Sequence, residues 1–164
     1  MISLEHLARV VAIGVLATAC MDAWVLLLNR LGVPSLNFAM VGRWIGHWRQ
    51  GIFLHGSIAK APPVRHEAAL GWTFHYATGI AFAALLVVVT GVEWTGRPTP
   101  GPAIVLGVVT VVAPWLVMQP AMGAGIASSR TPSPGKNRAR SLANHFVFGL
   151  GLYLAALLVA WISR

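Results

Sequence analysis

The chain has 164 residues, of which 57% are hydrophobic and only 10% charged. Soluble domains carry about 25% charged residues, so this chain lacks the polar surface that a water-soluble fold needs, and the partner its composition implies is the lipid bilayer. Its formal net charge of +8 does not argue for nucleic acid, because most of the basic residues are confined to two loops between apolar runs.

Runs of about 20 apolar residues match a hydrocarbon core about 30 Å thick. Such runs lie near residues 8–30, 68–92, 102–127 and 142–162, so the expectation is an all-α membrane protein with a single transmembrane domain over 1–164. Arg30, Arg43, Arg49, Lys60 and Arg65 lie between the first two runs, and Arg130, Lys136, Arg138 and Arg140 between the last two, whereas Arg97 stands alone in the middle loop. By the positive-inside rule both basic loops are cytoplasmic and both termini face the other side. The same loops are expected to attract anionic lipids.

In the first run, Ala17-Thr18-Ala19-Cys20 resembles a lipoprotein or signal cleavage site. The apolar run continues through Trp24-Val25-Leu26-Leu27-Leu28, however, whereas a signal segment ends before its cleavage site. An uncleaved span is therefore expected. The single cysteine, Cys20, can form no internal disulfide. Val11, Val15, Thr18, Asp22 and Asn29 share one helical face, and a face carrying such polar groups should look inward. His75 of the second run is the expected partner of Asp22.

Between these runs lies an insertion, and an amphipathic helix over about 35–54 is expected in the cytoplasmic interface. At about 100° per residue, Phe38, Met40, Val41, Trp44, Ile45, Trp48 and Ile52 fall on one arc, with Arg43, His47 and Gln50 opposite. Tryptophans on such an arc belong at headgroup level. Asn37, Arg43, Trp44, His47 and Trp48 are its candidate interfacial residues.

The third run contains Pro114 and Pro120. Each removes a donor and frees a carbonyl one turn earlier, at Thr110 and Leu116. Inside a bilayer such carbonyls need partners or a water-lined cavity. Gln119 stands beside Pro120, and His145 enters the fourth run. Along a helix, Asp22 is about 12 Å before Arg30, Gln119 about 12 Å before residue 127, His75 about 12 Å past Glu67 and His145 about 7 Å past Arg140. Similar depths in costly surroundings make Asp22, His75, Gln119 and His145, with Thr18 and Asn29, the candidate site.

The chain also reads as two related halves, about 8–92 and 102–162. His75-Tyr76-Ala77-Thr78-Gly79 parallels His145-Phe146-Val147-Phe148-Gly149, Ser57-Ile58-Ala59 parallels Gly125-Ile126-Ala127, and Met21-Asp22 parallels Met118-Gln119. Two helical hairpins pointing the same way would be related by an axis along the membrane normal.

Met21-Asp22-Ala23-Trp24, Pro34-Ser35-Leu36-Asn37, Val41-Gly42-Arg43-Trp44-Ile45-Gly46-His47, Ala61-Pro62-Pro63-Val64-Arg65 and Met118-Gln119-Pro120-Ala121-Met122-Gly123 together resemble a bacterial membrane family, domain-of-unknown-function family 2938. The resemblance covers nearly the whole chain. It implies a bacterial inner-membrane protein, and with the charge pattern it places both termini in the periplasm. It implies no activity.

No motif for nucleophilic, zinc-dependent or phosphate-binding catalysis is present, so no enzyme is expected and no catalytic residue is assigned. The leading expectation is a small proton-linked transporter or channel-like protein, with a non-transporting scaffold or assembly module as the alternative. Two minor readings stand beside them. His75 and His145, each followed by a glycine four residues on, could hold a haem edge-on. Met118 and Met122, with Cys20, Met21 and Met40, could form a soft-metal path for copper. Neither earns a cofactor or metal assignment. Gly149-x-Gly151 and Gly123-x-Gly125 offer smooth surfaces for a homodimer.

Overall fold

A computed structural model describes Ser3–Ser163, so Met1, Ile2 and Arg164 at the ends of the expected domain lie outside the described residues. Every regular element among the described residues is helical. The first helix, α1 (Leu4–Arg30), opens at Ser3, whose hydroxyl accepts from the His6 N–H while the His6 ring accepts from the Ser3 N–H. This reciprocal cap satisfies two donors that a helix start leaves orphaned. It closes where Gly32 adopts a positive φ of 80°: Val33 N–H reaches back to Leu28 O and Gly32 N–H to Asn29 O, the paired bonds that glycine's left-handed conformation permits.

The second helix, α2 (Phe38–His47), starts under Asn37, whose side chain accepts from the Ala39 N–H at 2.9 Å. It is shorter than the expected 35–54. The chain tightens into a 3₁₀ turn over Trp48–Gln50, and Gly51 at φ 72° turns it away, so Ile52 does not continue the helical arc. A further 3₁₀ turn, Ile58–Lys60, precedes α3 (Glu67–Thr90).

The third run is not one regular helix. The fourth helix, α4 (Pro100–Val109), stops near Thr110, a π turn covers Pro114–Met118, and α5 is the single turn Gln119–Ala121. The prolines explain the break, since Pro114 and Pro120 have no N–H for the carbonyls of Thr110 and Leu116. Gln119 N–H instead bonds to Pro114 O, five residues back, which widens the turn. Gly123 and Gly125 then take φ values of 93° and 73°, so this run ends at Ala121 and not near 127. Small apolar residues had extended the hydrophobic signal past the last turn. The final helix, α6 (Pro134–Ile162), begins with a proline in its first turn, where the missing donor does no harm.

Among the described residues, four helices are long and apolar enough to cross a membrane: Leu4–Arg30, Glu67–Thr90, Pro100–Ala121 and Pro134–Ile162. Apolar side chains such as Leu26, Val88, Val105 and Trp161 are more than half exposed, an arrangement that suits lipid and not water. The chain is a multi-pass membrane protein.

The fold divides into two compact units. One comprises Met1–Pro34, Tyr76–Thr110 and Ala143–Arg164, and the other Ser35–His75 and Val111–Leu142. The first unit packs around Ile13, Ala17, Ala83, Leu86, Ala103, Leu152 and Ala156, with alanines letting helices approach closely. The second packs around Val41, Trp44, Ile58, Ala121 and Met122.

Candidate functional site

In the first unit, helices meet at glycines. A Cβ on Gly14 of α1 would lie 2.5 Å from Ile80 Cα of α3, and one on Gly79 would collide with the Thr18 side chain. The α4–α6 contact repeats this: a Cβ on Gly107 would lie 2.6 Å from Gly149 N and 2.8 Å from His145 O, and one on Gly149 would lie 2.9 Å from Ile104 Cα. Gly151 faces Ala17 and Cys20 of α1. Gly149 and Gly151 are thus spent on contacts within the chain and provide no dimer surface. Nor do Gly79 and Gly149 leave room for a macrocycle, because another helix fills the space beside each.

Polar side chains cluster at the same contacts. Thr18, 1% exposed, donates to Gly14 O at 2.8 Å. The Tyr76 hydroxyl donates to Asp22 Oδ2 at 2.9 Å, and Trp24 Nε1 donates to Asn144 Oδ1 at 3.2 Å. Thr110 Oγ1 donates to Gly107 O at 2.6 Å and lies 3.0 Å from His145 Nδ1. A hydroxyl has one proton. With it on the shorter contact, His145 Nδ1 is the donor to Thr110. Thr18, Asp22 and His145 therefore take part in interhelical contacts in this unit, whereas Asn29 is exposed in the last turn of α1.

In the second unit, the His75 ring lies against Phe38 and Trp72, with centroids 4.3 and 5.8 Å away. Gln119 Oε1 accepts from Ser128 Oγ at 3.1 Å. Because α5 ends at Ala121, Gln119 stands about 3 Å of helical rise from the helix end and not about 12 Å inside it. It fastens the loop that follows, in which Ala127 and Ser128 hold left-handed φ values of 46° and 60° and Arg138 Nε donates to Ala127 O at 2.8 Å.

Helix α2 sits close to the start of α3 because Gly42 opposes Glu67 and Gly71 while Gly71 opposes Phe38. Arg43 crosses this contact as a two-pronged ion pair, with Nε to Glu67 Oε2 and Nη2 to Oε1, both at 2.9 Å, and its Nη1 donates to Ala61 O at 3.0 Å. The hydrogen bonds to Glu67, with its charge, raise the Arg43 guanidinium above its already high ordinary pKa. Trp44, 5% exposed, donates from Nε1 to Phe53 O at 2.8 Å, and Trp48 meets it edge-on at 4.9 Å. His47, 4% exposed, stacks on His55 with Nδ1 2.8 Å from Nε2. The arc bearing Arg43 and His47 was expected to oppose the packed face. It is packed too, because both side chains find partners inside the unit. Beside the histidine pair lies a cavity of about 390 Å³ lined in part by His47, Gln50, Ile52, His55 and Arg65.

No cluster of three or more His, Cys, Asp or Glu side chains suited to a metal occurs among the described residues. Met40, Met118 and Met122 instead pack with the Val41–Trp44 cluster. Met21 packs in the core of the first unit. The sequence reading missed Tyr76, Thr110, Asn144 and His55 as partners. Tyr76 and Thr110 carried a signal, being polar groups within apolar runs, whereas His55 lies in a loop with no periodicity to read.

The described fold defines a class: an all-helical, multi-pass membrane protein whose polar side chains bond across close helix contacts. The family model described as "Protein of unknown function (DUF2938)" matches residues 11–159, and the chain belongs to that family. Comparison with curated proteins and with solved structures gives no match.

Proposed function

We propose that this protein is a small proton-linked transporter or channel-like protein of the bacterial inner membrane, with the Asp22–Tyr76 pair as its proton-handling group. One observation carries the reading: a carboxylate in the apolar part of α1 receives a phenolic hydrogen bond from α3. An ionisable side chain in a membrane span marks a functional site by default. An ionised Asp22 accepts a hydrogen bond from the Tyr76 hydroxyl. A protonated Asp22 gains a donor and keeps an oxygen that can accept from Tyr76, so a proton there would weaken this helix contact from a charge-assisted bond to a neutral one without abolishing it.

An internal duplication supports the same reading. Gly79 and Gly149, equivalent in the two sequence halves, both mark the close contact of the first and second helix of their half. The matched Ser57-Ile58-Ala59 and Gly125-Ile126-Ala127 segments both contain 3₁₀ turns. In this arrangement the basic loops are cytoplasmic, both termini are periplasmic, and α2 with Trp44 and Trp48 lies in the cytoplasmic interface. Four spans enclose little volume, so a homodimer belongs to the proposal; native-membrane crosslinking that yields monomer alone would count against it.

The test is proton flux in proteoliposomes carrying an internal pH-sensitive dye, under imposed gradients of candidate solutes. Flux that Asp22→Asn abolishes, in a variant that elutes and melts like the parent, supports the proposal. Parent protein without flux, or Asp22→Asn with undiminished flux, sinks it.

The second reading is a non-transporting scaffold or assembly module. Its support is the glycine-lined α1–α3 and α4–α6 contacts, which are packed to backbone distance. In that case Asp22→Asn lowers expression or partner retention, and no flux is seen in either protein.

A further inference from the structure

We propose that the cavity beside His47 and His55 binds a phosphate group carried by an anionic amphiphile, with an acidic phospholipid as the chemical type. This site is independent of the Asp22 proposal and stands whether or not the protein moves protons.

The cavity lies in a basic segment. Glu67 is the acidic residue of this segment, and Arg43 occupies both of its carboxylate oxygens. The cavity therefore has no free carboxylate, while Arg65 and Gln50 are among its lining residues and Arg49 and Lys60 are exposed nearby in sequence. Arginine matches phosphate through its planar fork of donors. Arg65 uses Nε toward His66, which leaves the outer nitrogens as the fork's remaining donors.

The histidine pair supplies the second element. His47 Nδ1 and His55 Nε2 lie 2.8 Å apart, so one of them carries the shared proton. His55 Nδ1 is buried with no hydrogen-bond partner among the described residues. A buried polar nitrogen left unpaired is costly. When His55 Nε2 is the acceptor, Nδ1 bears a proton and needs an acceptor opposite it. A phosphate oxygen in the cavity is such an acceptor.

The rim selects the source of that phosphate. Ile52 lines the cavity, and Ile52, Phe53 and Leu54 form a consecutive exposed apolar run at 43%, 56% and 75% exposure. A basic polar hollow edged by exposed apolar side chains fits a molecule with an anionic head and a hydrocarbon tail.

The experiment uses the full chain in nanodiscs with ¹⁵N-labelled histidine, following the His47 and His55 side-chain resonances. In one arm phosphatidylglycerol is added in graded amounts to phosphatidylcholine discs; in the other, inorganic phosphate is added to phosphatidylcholine discs. A saturable shift with phosphatidylglycerol, weakened about tenfold by His55→Ala and by Arg65→Gln, supports the proposal and its lipid source. A saturable shift with inorganic phosphate of equal strength supports the phosphate site and overturns the lipid source. No saturable shift in either arm overturns the proposal. So does an Arg65→Gln protein that titrates like the parent, or an equal loss in Arg138→Gln, which removes the same charge outside the cavity. Arg65 is exposed, so its variant remains informative where His55→Ala fails to fold.

Discussion

Tyr76 of α3 donates its hydroxyl to Asp22 Oδ2 of α1 across 2.9 Å, joining two apolar helices. Interhelical hydrogen bonds in membranes are worth roughly 0.5–1.5 kcal/mol. Tyr76→Phe is expected to lower stability by that amount in thermal unfolding in mild detergent while leaving secondary structure intact. Unchanged stability would mean that the bond does not help hold α1 against α3.

The glycine contacts make a sharper prediction. Gly107→Ala places a methyl group against the backbone of α6, and overpacking of this kind costs about 1–3 kcal/mol. Gly101→Ala, in the same helix with nothing near its Cβ position, is expected to be neutral or slightly stabilising. Equal melting behaviour of the two variants would contradict the packed contact.

Arg43 and Glu67 form a pair whose geometry discriminates between cations. Arg43→Lys keeps the charge and loses the two-pronged contact, so it is expected to lower the melting midpoint nearly as much as Arg43→Ala. A double-mutant cycle with Glu67→Gln should return a clear coupling. With the Arg43 pKa raised, its share of the pair's stability is complete below the ordinary arginine range and is lost only above it. The melting midpoint should therefore not fall through Arg43 between neutral and moderately alkaline pH.

At Ala127 a substitution is expected to help. Its φ of 46° is left-handed, a region where a Cβ is strained and glycine is at ease. Ala127→Gly should stabilise the protein by up to about 1 kcal/mol. A destabilised variant would show that the alanine methyl contributes packing that outweighs the strain.

The four membrane-length helices were legible because run length alone reports them, and Asp22 stood out as a charge in an apolar run. The Tyr76 hydroxyl as a donor to Asp22 was not legible, because a tyrosine in an apolar run reads as an ordinary aromatic residue and nothing in its spacing singles out its hydroxyl. The end of α5 was hidden by Met122, Gly123, Ala124, Gly125 and Ile126, which read as hydrophobic although two of them need positive φ. The end of α2 was masked because the apolar arc of the sequence continues past Gly51 to Ile52. Glycine's double meaning set the last limit: Gly149 and Gly151 announced close packing, and only the fold says that their neighbours are α4 and α1.

Those two glycines also bear on how the chain is made. Synthesis proceeds from the N-terminus, so α1 and α3 exist before α6 has left the ribosome, and the contact at Gly14 is available early. The contacts at Gly107 and Ala17 must wait, because both are completed by α6 through Gly149 and Gly151. A nascent chain lacking α6 should be short-lived in pulse-chase labelling. The last helix acts as the closing strip of the first unit, and its loss bares two small-residue grooves at once.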